Sequence, residues 1–285
     1  MNQPNYSRAF CEPQYDPYQT APDGAEVMKR RLDLAVKAHD KFASHLDVPY
    51  GPTEKERVDI FPAQGESRGV MVFIHGGYWQ RLDKSNLMFL ANSFVNAGIT
   101  LVQVNYNLAP AVTLDKIVDE VRAACAWVWH NIGQYGGDHD RIYIGGNSAG
   151  GHLTAMMAAT DWKAIDPALP EDLMKGGLPI SGIYELEPLL HTSINDAVGM
   201  DMEAAVRNSP NRYAPTLKGS LLIPVGALES PEFQRQTRLL AESWPDVPSR
   251  QMVVPGCHHY NILLELADPQ SALFRATLEL MKLDQ

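Results

Sequence analysis

Short apolar runs rich in β-branched residues recur along the chain, and segments with helical spacing separate them. The runs are 69–74, 99–104, 141–144, 220–225 and 251–254. Strands that are covered by helices on both faces read as nearly continuous apolar stretches rather than as alternating ones. The five runs therefore predict buried strands of a mostly parallel sheet.

Apolar side chains between the second and third runs recur at three- and four-residue steps. They are Leu114, Ile117, Val118, Val121, Cys125, Val128 and Ile132. This spacing places them on one face of a helix that is long enough for a crossover connection. Similar spacing predicts helices over 149–159, 231–243 and 270–282. Alternating strands and helices indicate an α/β fold with a doubly wound sheet, whose ligands bind at the carboxyl ends of the strands.

Three segments fall outside this alternation. Residues 1–24 are rich in proline and tyrosine, which favours an extended or turn-rich arm, and 25–45 carry a helical pattern. The apolar stripe of that helix consists of Val27, Leu32, Leu34, Ala35, Ala38 and Phe42. Residues 185–218 predict short helical pieces that form a lid-like insertion. We therefore expect an arm and helix over 1–56, packed on a single domain over 57–285.

Charge and composition exclude several classes of partner. The formal net charge is −10 at pH 7, and the longest basic cluster covers residues 29–31. Nucleic acids and anionic membranes are bound through concentrated positive charge, so neither is an expected partner. Cys11, Cys125 and Cys257 lack paired spacing, and no apolar run reaches about eighteen residues. These features predict reduced thiols and a cytoplasmic protein without a membrane span, and they leave a homo-oligomer open.

The stretch GGNSAGGH at 145–152 follows the third strand and precedes a predicted helix. It lacks the G-x-G-x-x-G pattern of a dinucleotide site and the terminal lysine of a P-loop, which argues against a phosphate cradle. Its centre, Gly146 to Gly150, matches the G-x-S-x-G of a nucleophile elbow in the expected strand–turn–helix context. Ser148 is therefore the candidate nucleophile.

A serine hydroxyl needs a general base and a stabiliser for the developing oxyanion. The His-Gly-Gly-Tyr-Trp sequence at 75–79 follows the first strong strand, where α/β-hydrolases place their oxyanion loop. The candidate oxyanion residues are Gly76, Gly77, Tyr78 and Ala149. His75 is interpreted as a structural residue of this loop. Trp79 is a candidate pocket residue, with packing beneath the loop as the alternative.

The candidate base and acid follow the last two predicted strands. His259 is the favoured base, although His258 beside it stays open as the alternative, and Tyr260 is a candidate pocket residue. Glu229 follows the preceding strand and satisfies the chain order serine, acid, histidine. Glu232 is the rival acid, but it follows Pro231 and is expected to enter a helix.

Two other interpretations, a metal site and a non-catalytic binding protein, agree less well with the residues. His75, His139, His152, His258 and His259 lie near predicted strand ends, but their spacing matches no zinc signature, so we predict no metal and no cofactor. Some proteins with this fold bind ligands without catalysis, typically after losing a catalytic residue. All three candidate residues are present in this chain, which favours an enzyme.

Taken together, these motifs resemble the kynurenine formamidase (arylformamidase) branch of the α/β-hydrolases, which is related to the hormone-sensitive-lipase-like esterases. The likeness runs from about residue 58 to the end. Its specific pieces are HGGYW at 75–79, GGDHDRIYIGGNSAGGHL at 136–153, SGIYELEPL at 181–189, SP at 209–210 and ESPEFQRQ at 229–236.

In that family an aromatic residue follows the catalytic histidine. The resemblance therefore pairs His259 with Tyr260, and the family's acid carries over to Glu229. It implies hydrolysis of formamides, esters or amides with aromatic leaving groups, without a cofactor. No arginine stands in HGGYW at 75–79 or in GGNSAGGH at 145–152 to hold the carboxylate of N-formylkynurenine. The expected substrates are therefore aryl esters and arylamides, with N-formylkynurenine as the alternative.

Overall fold

The computed structural model describes residues 6–283 and is organised around an eight-stranded sheet. In chain order the strands are β1 (His45–Pro49), β2 (Arg57–Phe61), β3 (Val70–Ile74), β4 (Thr100–Val104), β5 (Ile142–Asn147), β6 (Gly176–Ile180), β7 (Ser220–Gly226) and β8 (Ser249–Val254). Their order across the sheet is β1-β2-β4-β3-β5-β6-β7-β8. The pairs β1–β2 and β2–β4 are antiparallel and the other neighbours are parallel, so the predicted mostly parallel sheet is confirmed.

Helices cover both faces of this sheet. They are α1 (Arg8–Gln14), α2 (Gly24–Lys41), α3 (Ala91–Phe94), α4 (Leu114–Asn131), α5 (Ala149–Ala158), α6 (Trp162–Ile165), α7 (Asn195–Val198), α8 (Met202–Arg207), α9 (Pro231–Ser243), α10 (Ile262–Ala267) and α11 (Ala272–Leu280). Side chains of α4 and α5 join the core on one face, and those of α2, α10 and α11 join the core on the other.

Strand β3 shows why its sequence is uniformly apolar. Val70, Val72 and Ile74 point into the first core, while Met71 and Phe73 point into the second. Successive side chains of a strand alternate between the two faces, and here both faces are covered. The α/β fold with helices on both faces follows directly from this pattern.

The five predicted strands are all present, but one of them is not buried as expected. β8 is the last strand of the sheet, and most of its residues are exposed. An edge strand has a neighbour on one side only, which leaves part of its surface to solvent. The interpretation of 251–254 as buried on both faces was therefore wrong.

Three strands were missed because their sequences carry unfavourable signals. β1 is mostly exposed and contains Asp47 with a φ of 54°. β2 contains the buried Asp59, which forms an ion pair with Lys84 at 2.9 Å. β6 reads Gly-Gly-Leu-Pro-Ile, in which glycine and proline weaken any strand pattern. Tertiary packing rather than local propensity determines these strands.

The predicted helices agree well with the structure. α4, α5, α9 and α11 lie within the predicted segments, and α2 ends four residues before the predicted limit of 45. The stripe of α2 differs in one respect. Leu32 is 45% exposed, whereas Arg31 is buried in phase with Val27 and Ala35.

The arm differs from the prediction over Arg8–Gln14, which form α1 rather than an extended segment. Ser7 caps this helix by accepting a hydrogen bond from the backbone N–H of Phe10, and Cys11 on its inner face is buried. Tyr15 is buried and its ring lies edge-on to that of Phe233 in α9. Capping and burial outweigh the proline-rich composition here. Residues 1–5 of the predicted arm, and 284–285, lie outside the described residues.

Residues 185–218 contain the predicted short helical pieces. They comprise the 3-10 turns Glu187–His191 and Pro210–Arg212 together with α7 and α8. The segment packs on the arm, because the backbone N–H of Ser193 donates to Glu12 at 2.9 Å. Across the described range of 6–283, no helix has the length and apolar content needed to span a membrane.

Candidate active site

Ser148 occupies a sharp turn between β5 and α5. Its backbone has φ 62° and ψ −120°, a conformation that L-residues rarely adopt and that costs free energy unless the surroundings hold it. The backbone N–H of Ser148 donates to the carbonyl oxygen of Ile180 at 2.9 Å. A Cβ atom on Gly146 would lie 2.4 Å from the Gly150 oxygen, and one on Gly150 would lie 2.1 Å from the Ile74 oxygen. The two glycines of the G-x-S-x-G pattern are therefore required by close backbone contacts.

The outer glycines of the stretch also permit close packing. A Cβ on Gly145 would lie 3.1 Å from the ring of Phe73, and one on Gly151 would lie 2.8 Å from the carbonyl oxygen of Ile180. These small residues bring α5 and the neighbouring strands close to the turn. The serine is thereby held at the carboxyl end of β5, as the fold predicts.

The first turn of α5 directs unpaired N–H groups towards the serine. The first hydrogen bond of the helix runs from the N–H of His152 to the carbonyl oxygen of Ser148 at 3.0 Å. The N–H of Ala149, at the first helical position, has no acceptor within the helix. Helix N-termini stabilise negative charge, so this N–H is a suitable oxyanion donor.

The loop after β3 lies directly against the serine turn. A Cβ on Gly76 would be 2.7 Å from the carbonyl oxygen of Asn147 and 3.1 Å from the Cβ of Ser148. Gly77, Tyr78 and Trp79 follow with φ values of 107°, 51° and 58°. Three successive positive φ values turn the backbone sharply. Within residues 6–283, the N–H groups of Gly77 and Tyr78 donate to no other group.

His75 has the structural surroundings that the sequence predicts. It is buried, its ring stacks on Tyr106 at 4.2 Å, and its nitrogens contact the oxygens of Gly76 at 2.7 Å and Asn105 at 3.2 Å. Burial lowers the pKa of His75 to about 4. A neutral imidazole carries one N–H and donates to one of these two oxygens, and its burial against Tyr106 is consistent with a residue that holds the loop.

The side chains of Tyr78 and Trp79 anchor the loop. Tyr78 donates its hydroxyl hydrogen to the carbonyl oxygen of Tyr15 at 2.5 Å, which ties the loop to the arm. Trp79 is fully buried and meets the ring of His152 edge-on at 5.0 Å. The positive φ turns the indole beneath the loop. Trp79 is thus absent from the cleft wall, and its expected pocket role is replaced by the packing alternative.

Glu229 and His259 lie in contact in the loops that follow β7 and β8. One carboxylate oxygen of Glu229 lies 2.6 Å from Nδ1 of His259, and the other accepts from the N–H of Gly226 at 2.7 Å and the hydroxyl of Ser181 at 2.6 Å. Both residues are only about 4% exposed. An Nδ1–H bonded to a carboxylate leaves Nε2 as the basic nitrogen of the imidazole. Ser181 was not predicted, although it belongs to the SGIYELEPL motif.

The alternatives named for the acid and the base lie elsewhere. Glu232, at the start of α9, accepts the Tyr15 hydroxyl at 2.8 Å and pairs with Arg235 at 2.9 Å. Nε2 of His258 lies 2.9 Å from a carboxylate oxygen of Asp23, just before α2. Both side chains fasten the N-terminal segment to the core and are outside the cleft wall.

Ser148, His259 and the 76–78 loop line one cleft of about 670 Å³, counting the space open to solvent. The remaining wall residues are Pro17, Tyr18, Met28, Arg31, His75, Arg81, Leu82, Asn86, Leu87, Asn147 and Tyr260. Tyr260 was predicted here. The arm supplies Pro17 and Tyr18 to the wall, and α2 supplies Met28 and Arg31. Residues 185–218 supply none of the wall, so their role as a lid stays a prediction.

Competing chemistry is limited around this cleft. Burial raises the pKa of the Cys257 thiol to about 12, so it stays protonated and is a poor nucleophile at neutral pH. Burial also lowers the pKa of His152 to about 4, and its Nε2 contacts the carbonyl oxygen of Asn208 at 2.7 Å. Over residues 6–283, no group of three or more potential ligands could hold a metal ion.

Comparison with known proteins identifies the family. The BD-FAE family matches residues 58–177. Kynurenine formamidase from Salmo salar is 32% identical over 99% of this chain and 97% of its own length, and that from Danio rerio is 32% identical over 96% and 97%. The solved structure of a proposed thioesterase from Silicibacter sp. TM1040 has a TM-score of 0.83 at 29% identity, covering 92% of this chain and 96% of that one. The chain belongs to the kynurenine formamidase family of α/β-hydrolases and is an ester or amide hydrolase.

Proposed function

We propose that the protein hydrolyses aryl esters and arylamides through an acyl-enzyme on Ser148, with His259 as base and Glu229 as its orienting acid. The observation that carries this proposal is the 2.6 Å contact of Glu229 with Nδ1 of His259, in the cleft that His259 shares with Ser148. A nucleophile, a base and a third group that orients the base form the arrangement that serine hydrolases require.

In the first half of the reaction, Oγ of Ser148 attacks the substrate carbonyl carbon while Nε2 of His259 accepts the hydroxyl proton. The tetrahedral intermediate then collapses, and His259 gives that proton to the leaving oxygen or nitrogen, which departs as a phenol or an arylamine. In the second half, a water molecule gives a proton to His259 and attacks the acyl-enzyme. The acid product leaves, and the proton returns to Ser148.

The negative charge on the carbonyl oxygen would be stabilised by N–H groups of Gly77, Tyr78 and Ala149. Gly76 lets this loop approach the serine, because any side chain there would strike Asn147 or Ser148. Donors fixed before reaction need no reorganisation when the charge develops, and each is worth several kcal/mol in related sites.

The aromatic preference rests on the cleft walls and on the relatives. Tyr18 and Tyr260 lie with ring centroids 5.0 Å apart at one side, and both line the cleft. The full-length relatives are named kynurenine formamidases. Arg31 also lines the cleft, which favours N-formylkynurenine as a second candidate substrate, because its carboxylate would then have a partner. Three free, buried cysteines support a reducing, cytoplasmic setting.

A substrate comparison tests this function. We expect phenyl acetate and formanilide to be hydrolysed, and their aliphatic counterparts ethyl acetate and N-ethylformamide to be slower by at least about tenfold in kcat/KM. A kcat/KM for N-formylkynurenine more than about a hundredfold above that for formanilide would favour the formamidase. Absence of hydrolysis across the whole set would refute the proposed function.

The acid is tested by Glu229→Gln. We expect kcat to fall by about 10⁴-fold, since an amide can no longer stabilise the imidazolium or fix the tautomer of His259. Steady-state kinetics with phenyl acetate measure this fall in kcat. Glu232→Gln is the matched control, because Glu232 contacts Tyr15 and Arg235 instead. A larger loss in Glu232→Gln than in Glu229→Gln would reverse the assignment.

A further inference from the structure

Arg31 brings a buried guanidinium to the cleft without a counterion. The residue is 4% exposed, and Nη1 lies 3.4 Å from the sulfur of Met28. The guanidinium carbon lies 5.2 Å from the ring centroid of Phe89. Among the described residues 6–283, Nε has no hydrogen-bond partner and no carboxylate pairs with this arginine.

Such an arrangement is unfavourable for the protein alone. Burying an ionised group without a partner costs solvation that weak contacts with a sulfur and a ring do not replace. Burial lowers the pKa of Arg31 to about 10, which still leaves the group charged at neutral pH. A buried, charged guanidinium in a substrate cleft, with no acceptor at Nε and only a sulfur at Nη1, indicates that a ligand supplies the missing acceptor.

The charges of the cleft point in the same direction. Arg31 and Arg81 line it, and none of the described wall residues is an aspartate or a glutamate. The whole chain has 24 lysines and arginines against 34 aspartates and glutamates, so this excess of positive charge is local. Glu229, the acid of the proposed mechanism, is hydrogen-bonded to His259, Gly226 and Ser181 and does not line the cleft.

We propose that Arg31 is a specificity-determining residue that binds a carboxylate carried by the substrate, apart from the scissile bond. The planar fork of one guanidinium matches one carboxylate with two parallel hydrogen bonds. Arg81 is exposed at the rim, where it attracts anions to the mouth. This proposal rests on the proposed hydrolysis and adds the charge of the substrate.

The test uses pairs of substrates that differ only in charge. The acids are 4-acetoxybenzoate, 4-acetoxyphenylacetate and 3-(4-acetoxyphenyl)propanoate, and each is compared with its primary amide. We expect kcat/KM for at least one acid to exceed that of its amide by more than about tenfold, chiefly through KM, as charge-assisted hydrogen bonds provide. Arg31→Met should bring this ratio to about one.

Arg30→Met is the matched control, because Arg30 is the exposed neighbour of Arg31 on the same helix. It should preserve the ratio of acid to amide. The melting temperature separates binding from a structural role. Removing an unpaired buried charge should leave the melting temperature of Arg31→Met unchanged or raised. A lowered melting temperature with acid and amide affected alike would overturn the proposal.

Two further results would also overturn it: no acid preferred over its amide by the parent enzyme, or a preference that survives in Arg31→Met. Calorimetric binding of the corresponding hydroxyphenyl acids keeps this test separate from catalysis. If neither acids nor amides were hydrolysed, the proposed function would fail. The parent should nevertheless bind at least one hydroxyphenyl acid more tightly than Arg31→Met does, and equal affinities would refute the role of Arg31.

Discussion

Replacement of Ser148 by alanine is expected to lower kcat for phenyl acetate by about 10⁵-fold or more, which is the scale of nucleophile loss in serine hydrolases. Alanine removes the only atom that would form the acyl bond. It keeps the N–H that donates to Ile180 at 2.9 Å, so the turn should survive. The variant should also relieve no steric strain, since alanine retains a Cβ at a φ of 62°.

Ser85→Ala is the control for this change. Ser85 is exposed next to the cleft residue Asn86, and its hydroxyl lies outside the proposed machinery. It should keep parental kcat, and circular dichroism should show both variants folded. A Ser148→Ala enzyme that is folded and retains more than about a hundredth of parental kcat would show that another group attacks the carbonyl.

Removal of His259 should lower kcat by as much as removal of Ser148, because the serine hydroxyl cannot act as a nucleophile without its general base. His259→Ala is therefore expected to lower kcat by about 10⁵-fold with little change in KM. The expected cause is specific. Its Nδ1 is bonded to Glu229 at 2.6 Å, which leaves Nε2 to accept the proton from Ser148.

His258→Asn separates the two adjacent histidines. Nδ1 of His258 accepts from the N–H of Tyr260 at 3.2 Å, and an asparagine oxygen can take over that contact. Its Nε2 faces Asp23 at 2.9 Å, so its expected contribution is to hold α2 in place. We expect His258→Asn to keep kcat within about tenfold of the parent. An inactive His258→Asn together with an active His259→Ala would show that His258 is the general base.

The fold could be predicted where the local pattern and the tertiary environment agree. β3 and β4 are buried on both faces and read as apolar runs, and α9 begins at Pro231 with Ser230 as its cap. β6 could not be predicted, because glycine and proline are accepted there only through pairing with β5 and β7. α1 was missed because its Ser7 cap and the burial of Cys11 outweigh the proline-rich composition.

In the candidate site, too, some residues are predictable from a local motif and others only from the fold. Ser148, Glu229 and His259 each follow a strand in a recognisable motif, so residue type and position are sufficient to name them as candidates. Arg31 lies in no such motif, and Ser181 lies in SGIYELEPL without a catalytic signature of its own, since each matters only through what the fold brings beside it. A signal for Arg31 did exist: it is a cation in phase with the buried stripe of α2. A charged residue on an apolar face is a reason to look for its partner.

The central claim is that the acyl group passes through Ser148. It is tested most directly by quenching the reaction with p-nitrophenyl acetate in acid and locating the acetyl group by peptide mass spectrometry. We predict a pre-steady-state burst of about one p-nitrophenolate per active site and an acetyl group on the peptide that contains Ser148, both absent from Ser148→Ala. An acetyl group on another residue, or a burst that persists in Ser148→Ala, would contradict it.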